Sequence, residues 1–347
     1  MKLRIVPENF LEWFALRANL APTPLVDTQV SFTLARAIQA AVELGVFEAI
    51  GRTARTSGDI AIACRIDPRA TEHLLGALVG IGYLKWSNGK YSLKGRYRKW
   101  LLKESSSNLV AKLKFQNVEW EFVGQMEHYV RTGRPIDLHG STKPEVWSGY
   151  QEAMRDLSVN AAAELGRKVT LKKGAVQMLD IGGSHGLFSI AICASNPGMK
   201  SRILELPAAL ESARAIGARY DKKAALEYVG GNALTDDLGV DRYDLVLMNN
   251  VAHHFSEEQN EALAMKVRRA LKAGGIYAIG ESIRMDRPGE GALIGAMAGL
   301  YFSLTSRSGS WSVQEIQRWM HAADLEPLRP IKLMTLPGFQ VVMGRKT

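Results

Sequence analysis

Val176-Gln177-Met178-Leu179-Asp180-Ile181-Gly182-Gly183-Ser184-His185-Gly186-Leu187-Phe188 is the stretch that decides the fold. An apolar run of strand length ends in an acid, passes through glycines and continues as Leu187, Phe188, Ile190, Ala191 and Ile192 at helical spacing. That pattern predicts strand, tight turn, helix. Glycines belong in such a turn because the backbone must double back and let a ligand come close, which a Cβ would obstruct. The free N–H groups of the new helix then point at that ligand. The turn reads as nucleotide-binding, but it is not the dinucleotide fingerprint G-x-G-x-x-G, because Ile181 stands where the first glycine of that motif belongs.

Downstream the same alternation repeats. Arg202-Ile203-Leu204-Glu205-Leu206-Pro207 ends a second apolar strand with a carboxylate, and Ala225 to Val229 runs into Gly230-Gly231-Asn232-Ala233-Leu234. Tyr243 to Met248 is a fourth strand, followed by Asn249-Asn250-Val251-Ala252-His253-His254-Phe255-Ser256. Lys272-Ala273-Gly274-Gly275 turns into a fifth strand, Ile276 to Gly280, which ends at Glu281. Acid and amide groups thus collect at the carboxyl ends of the strands, the edge where ligands bind in an alternating α/β chain. Leu328 to Leu333 and Phe339 to Met343 close the chain as two linked strands.

The front half is organised differently. Phe10, Leu11, Trp13 and Phe14 crowd a short helix that is too aromatic to sit alone in water, so it is expected to pack on a partner. A second helix from Gln29 carries Leu34, Ile38, Ala41 and Val42 on one stripe and stops at Gly45. Ser57 can cap a helix reaching Cys64, and Asp67-Pro68 supplies the cap and first position of another bearing Leu74, Leu75, Leu78 and Val79. Tyr83 to Trp86 and Lys90 to Leu93 flank Asn88-Gly89, the strongest short hairpin signal. The module is a winged helix. A DNA reader would present basic and amide side chains on its second helix, whereas Arg69, Thr71, Glu72 and His73 make a poor base-reading set. The cations Lys85, Lys90, Lys94, Arg96, Arg98, Lys99 and Lys103 lie on and after the wing; they could hold phosphates without reading sequence, or simply face solvent.

At 347 residues the length suits about two domains. The net charge of +9 fits nucleic acid, an acidic small molecule or plain solubility, and does not choose among them. Cys64 and Cys193 are too far apart and too few for a disulfide framework or a zinc site, which makes a reducing cytoplasm the expected compartment. The first residues lack the apolar core of a signal peptide. The uncharged stretch from Gly291 to Ser306 is shorter than the roughly 20 residues a membrane span needs and reads as a buried helix beside the pocket. Between Ser105 and Arg167 the pattern is helical, with Trp147, Tyr150 and Met154 on one face. They form either core packing or the wall of an aromatic pocket, in which methionine adapts to flat ligands.

Acid, glycine turn and second acid together resemble the first two motifs of class I S-adenosylmethionine-dependent methyltransferases. The winged helix and the helix before it resemble the amino-terminal dimerisation domain of the plant and bacterial small-molecule O-methyltransferases typified by caffeic acid O-methyltransferase. The resemblance covers nearly the full length. It implies an α/β fold in which a Rossmann-like seven-stranded methyltransferase domain (168–347) follows a helical connector lining the substrate pocket (105–167). An all-helical, winged-helix dimerisation domain (1–104) stands in front. It also implies a homodimer, S-adenosyl-L-methionine as cofactor and a small hydroxylated, aromatic acceptor.

Carried over residue by residue, the resemblance assigns cofactor binding to Asp180, Gly182, Gly183, Ser184 and Gly186 in the turn. Glu205 and Leu206 would meet the ribose, Gly231, Asn232 and Ala233 the adenine, and Asn249 completes the set. An aspartate is usual at the Asn232 position; asparagine keeps an acceptor for the amino group and gains a donor for a ring nitrogen. His253 falls on the general base and Glu281 on a carboxylate that orients it, with Trp147, Tyr150, Met154, His254, Met297 and Tyr301 expected around the acceptor. Phe302 and Trp311 are expected to shape the pocket as well. No metal is required, since a histidine near its ordinary pKa can take a phenolic proton as the methyl bond forms.

The chain departs from that family in places. The second orienting carboxylate is missing from Arg307-Ser308-Gly309-Ser310-Trp311, where Ser310 stands nearest it. Asn249 and Asn250 replace a lysine and a tryptophan, while Ser184 and His185 replace a glycine and a threonine. His253 could therefore be a packed residue at a helix start. The open alternatives are C- or N-methylation, a cofactor-binding protein that has abandoned transfer, and a transcriptional regulator.

Overall fold

The computed structural model describes residues 5–136, 144–223, 225–285, 287, 293–306 and 308–347. The chain divides into two compact units, one ending at Asn117 and the other beginning at Val118.

In the first unit, α1 (Phe10–Arg17) is capped by Asn9 and buries none of its residues. A helical turn at Thr23–Leu25 and a π-helical turn at Val26–Val30 lead into α2 (Ser31–Glu43), so this helical stretch starts earlier than the Gln29 expected. α3 (Val46–Ile50) and α4 (Ser57–Cys64) follow. The cap of α4 is Thr56 rather than Ser57: the Thr56 hydroxyl accepts from the Asp59 N–H and the Asp59 carboxylate accepts from the Thr56 N–H, a reciprocal arrangement that Ser57, already inside the helix, does not make. α5 (Pro68–Gly80) begins on Asp67 as expected. Thr71 on this helix is buried, not exposed, because its hydroxyl turns back to the Asp67 carbonyl. β1 (Leu84–Ser87) and β2 (Lys90–Leu93) pair antiparallel around Asn88 and Gly89, both at positive φ as a tight hairpin requires. Arg55 adds a short bridge to Tyr91, which the wing pattern alone did not announce. α6 (Gly95–Leu101) carries part of the basic run, and the division between the units falls within α7 (Val110–Val123).

The second unit opens with α8 (Met126–Thr132) and α9 (Pro144–Lys168). Its sheet holds β3 (Gln177–Ile181), β4 (Lys200–Glu205), β5 (Leu226–Gly230), β6 (Tyr243–Asn249), β7 (Leu271–Ser282), β8 (Leu325–Lys332) and β9 (Phe339–Lys346). The order is β5-β4-β3-β6-β7-β9-β8, with β9 alone running against its neighbours. The expected turn at 272–275 lies within β7 as an irregularity: the register moves from Tyr243 opposite Leu271 to Leu245 opposite Ile276, and Gly274 has φ +74°.

Successive residues of the central strands feed opposite layers. Leu179, Val246, Met248 and Ile279 pack with Leu263 and Val267 of α12 (Glu257–Ala270) and with Ile316 and Trp319 of α14 (Val313–Ala322). Met178, Leu245, Leu247 and Ala278 pack with Leu165 of α9 and Ile192 of α10 (Leu187–Ser195). Burial on both faces is why these strands read as unbroken apolar runs. Between β3 and β6 the strand order reverses, which opens a crevice at their carboxyl ends.

Candidate active site

At that crevice the three glycines of the turn are each demanded by a different neighbour. A Cβ on Gly182 would stand 2.6 Å from Val251 Cγ2, one on Gly183 2.6 Å from the Asp180 carboxyl carbon, and one on Gly186 2.6 Å from Leu226 Cδ1. The turn is therefore pressed against the loop after β6, against its own strand end and against β5, with no room for side chains.

Asp180 does not face the crevice. Its carboxylate lies buried under the turn, where Oδ2 accepts from Ser189 Oγ at 2.6 Å and Ser189 meets Ser201 at 2.8 Å. Burial, against the opposing hydrogen bond from Ser189 and with the Glu205 charge nearby, pushes its pKa up to about 7. Asp180 thus supports the turn from beneath. Glu205, at the end of β4, is also raised by burial. Its Oε2 accepts the Ser184 N–H at 2.9 Å and its Oε1 the Leu206 N–H at 2.8 Å. A carboxylate has about four acceptor positions, so two remain for hydroxyl donors. Leu206 itself is exposed.

Beyond β5, a Cβ on Gly231 would fall 2.4 Å from Asp236 Oδ2, and Ala233 is buried. Asn232 is exposed, but its Oδ1 already accepts the Leu234 N–H at 3.0 Å. Its Nδ2 makes no hydrogen bond to the described residues, so the donor expected of this asparagine is open, and Oδ1 keeps one acceptor position. Asn249 ends β6 opposite Gly280, where a Cβ would come within 2.0 Å of Asn249 Oδ1. Both polar atoms of the Asn249 side chain are buried with no partner among the described residues. Buried amides are paired in the great majority of cases. A close-packed glycine turn, a carboxylate with spare acceptor positions and an unpaired amide fit a polar nucleoside.

His253, on a short 3-10 turn (Ala252–His254), is 3% exposed, and Glu281 is fully buried. His253 Nδ1 lies 2.9 Å from Glu281 Oε2, and the His253 N–H donates to Glu281 Oε1 at 3.4 Å. The carboxylate holds the Nδ1 side as N–H, which leaves Nε2 to take a proton. The ring stacks on Phe302 of α13 (Leu293–Thr305) at 4.3 Å and lies tilted against the half-buried His254 at 4.1 Å.

Trp147 is buried edge-on to Tyr150 at 5.7 Å, and Met154 is half-buried on the same helix. Tyr301 donates to Glu119 Oε1 at 2.9 Å. Burial first, then the Glu119 charge, raises the Tyr301 phenol; Tyr150 is raised by burial, with Glu205 and Glu119 adding to it. Met297 is 53% exposed, and α13 is not the fully buried helix expected, since Leu293 and Leu300 are exposed as well. Trp311 belongs to the core rather than the pocket: its indole N–H donates to the Ala252 carbonyl at 2.9 Å and its ring packs edge-on against Trp319. Ser310 Oγ is buried without a partner among the described residues; Arg307, beside it in the expected motif, lies outside them. His185 is buried and its pKa falls to about 4, chiefly through burial, so the ring is neutral in its loop.

Two residues here escaped sequence reading. Glu119 gave no signal. Gln151 sits between Trp147 and Met154 in helical spacing, and a polar residue on that stripe was the available clue; it is 2% exposed and accepts from Ser184 Oγ.

Residues 121–323 match the O-methyltransferase domain family, and residues 26–110 match the O-methyltransferase dimerisation domain. The chain belongs to the O-methyltransferase family and is an S-adenosylmethionine-dependent methyltransferase. It is 22% identical over 338 residues to the 3-hydroxy-5-methyl-1-naphthoate 3-O-methyltransferase of Streptomyces sahachiroi, covering 94% of this chain and 95% of that one. A Nostoc punctiforme PCC 73102 structure provisionally classed as an O-methyltransferase superposes with a TM-score of 0.84 at 26% identity, covering 94% and 99% of the two chains. Human N-acetylserotonin methyltransferase in complex with SAM gives 0.83 at 18% identity, covering 99% of each.

Proposed function

We propose that the enzyme methylates a hydroxyl of a small aromatic acceptor, with His253 as general base and Glu281 as the group that orients it. The buried His253–Glu281 pair at the ligand edge carries this reading. Gly182, Gly183, Ser184 and Gly186 hold the methionine end of the cofactor, Glu205 and Leu206 its sugar, and Gly231, Asn232, Ala233 and Asn249 complete the cradle. When bound, the cofactor supplies a methyl group open to in-line displacement. His253 Nε2 takes the phenolic proton as the acceptor oxygen attacks, and the imidazolium that forms is stabilised by Glu281. Phe302 fixes the plane of the ring. Trp147, Tyr150, Met154, Tyr301 and His254 set the acceptor's orientation, with Met297 at the outer margin. The Streptomyces sahachiroi relative, named for an aromatic acid, supports an aromatic acceptor. The exposed apolar face of α1 and the match to a dimerisation domain support a homodimer.

The test is a panel of phenolic acceptors incubated with S-adenosylmethionine, with methyl ethers identified by mass spectrometry. His253→Ala should lose product roughly 100- to 10,000-fold while still binding S-adenosylhomocysteine. Undiminished methyl ether formation refutes the base. A second reading, C- or N-methylation, draws on the unpartnered Ser310 where another carboxylate would be expected. Such acceptors need no oxygen deprotonated, and the position of the transferred methyl separates the two.

A further inference from the structure

Two adjacent side chains of the glycine turn reach the same stretch of α9. Ser184 Oγ donates to Gln151 Oε1, and the His185 ring, whose Nδ1 accepts the Leu187 N–H at 3.3 Å, lies against the Met154 backbone. Gln151 and His185 are both 2% exposed, so neither bond is shared with bulk water. Ser184 is held at φ +50°, a left-handed conformation that costs a non-glycine residue on the order of 1 kcal/mol and persists only where its surroundings over-determine it. Those surroundings are Glu205 on its N–H and Gln151 on its hydroxyl. Trp147, Tyr150 and Met154 flank Gln151 on α9, one turn or less away. Further along, α9 is locked against α10: a Cβ on Gly166 would stand 2.6 Å from the Ala191 carbonyl oxygen.

We infer that Ser184 and Gln151 form a positioning link through which filling the donor turn orders the acceptor wall, so that Trp147, Tyr150 and Met154 take their working places only after the donor is bound. The inference rests on Glu205 gripping the donor's sugar. Hydroxyls donating to Glu205 draw on the carboxylate that now takes the Ser184 N–H. Any adjustment of that peptide moves the Ser184 hydroxyl, because one residue is anchored at both ends. Coupling of this kind needs a contact that differs between the two states, and the inference assigns that part to the Ser184–Gln151 bond.

Hydrogen exchange by mass spectrometry on the full chain tests this without an acceptor, with S-adenosylhomocysteine as probe. In the wild type, saturation should slow exchange in 178–206 and also in 147–158. In Gln151→Leu, which removes the acceptor of the Ser184 hydroxyl, slowing in 178–206 should persist while the ligand-induced slowing in 147–158 drops by about tenfold, within the usual range of coupling between sites. A merely structural Gln151 would speed exchange of 147–158 without ligand and leave the ligand-induced ratio unchanged; that result overturns the link, as does a wild type protected only in 178–206. Absence of both protection and calorimetric heat in the wild type sinks the donor reading itself, and the link with it.

Discussion

The donor edge and the acceptor wall occupy the same unit but are built on opposite plans. The donor edge is drawn from single turns at strand ends, where Gly182, Gly183 and Gly186 are fixed by contact with their own neighbours and Glu205 by two backbone N–H groups. Little there can move without steric cost. The acceptor wall is assembled from α7, α9, α13 and the loop after β6, through contacts such as Tyr301 with Glu119 and His253 with Phe302. On the proposed assignment of the two regions, cofactor specificity is local and rigid, whereas acceptor specificity depends on how separate helices meet.

The largest effect on that comparison is expected at the carboxylate behind His253. Glu281→Gln keeps the shape of the pair but not its charge, so the rate of transfer should fall by roughly 10- to 1,000-fold, with S-adenosylhomocysteine affinity unchanged by calorimetry. A parallel loss of affinity would mean that the two regions are not separable. Next, Glu205→Ala removes the acceptor of two backbone N–H groups, and affinity for S-adenosylhomocysteine should weaken roughly 10- to 100-fold. An unchanged dissociation constant contradicts the sugar assignment.

Asp180 tests the rigidity of the donor edge through pH. Because its pKa in the folded chain is raised to about 7, the folded state keeps a proton that the unfolded state releases above about pH 4. Stability from this group is full below that point and is lost as pH rises toward 7. Asp180→Asn stays neutral throughout. Denaturant melts should therefore show the variant gaining on the wild type between pH 5 and pH 8, by about 2 to 3 kcal/mol. A difference independent of pH would place the carboxylate in a wetter site than its burial indicates. The smallest effect is expected at Thr56→Ala, far along the chain from either region, where loss of the helix cap should cost about 1 kcal/mol in stability and leave methyl transfer untouched.

Sequence reading located the strands that carry Asp180, Glu205, Asn249 and Glu281 because parallel strands buried on both faces are continuous apolar runs, and turns between strand and helix are marked by glycine. It misplaced the side chain of Asp180, since an acid at a strand end can point either into the crevice or beneath the turn, and only the hydroxyls of Ser189 and Ser201 decide which. Trp311 was expected near the acceptor because it is large and aromatic, but the Ala252 carbonyl and Trp319 draw it into the core. Glu119 was illegible as a site residue because its partner, Tyr301, lies 182 positions away, and Gln151, 33 positions from Ser184, showed only as a polar residue on an apolar stripe.

By itself the amino-acid order determined the alternation of strands and helices, the glycine turn and the acids that end its strands, since these follow from short-range sterics and the spacing of apolar residues. Tertiary structure alone decided which polar groups are spent on the protein and which are left for a ligand. That division depends on which distant side chain arrives within hydrogen-bonding distance, and no local pattern encodes it.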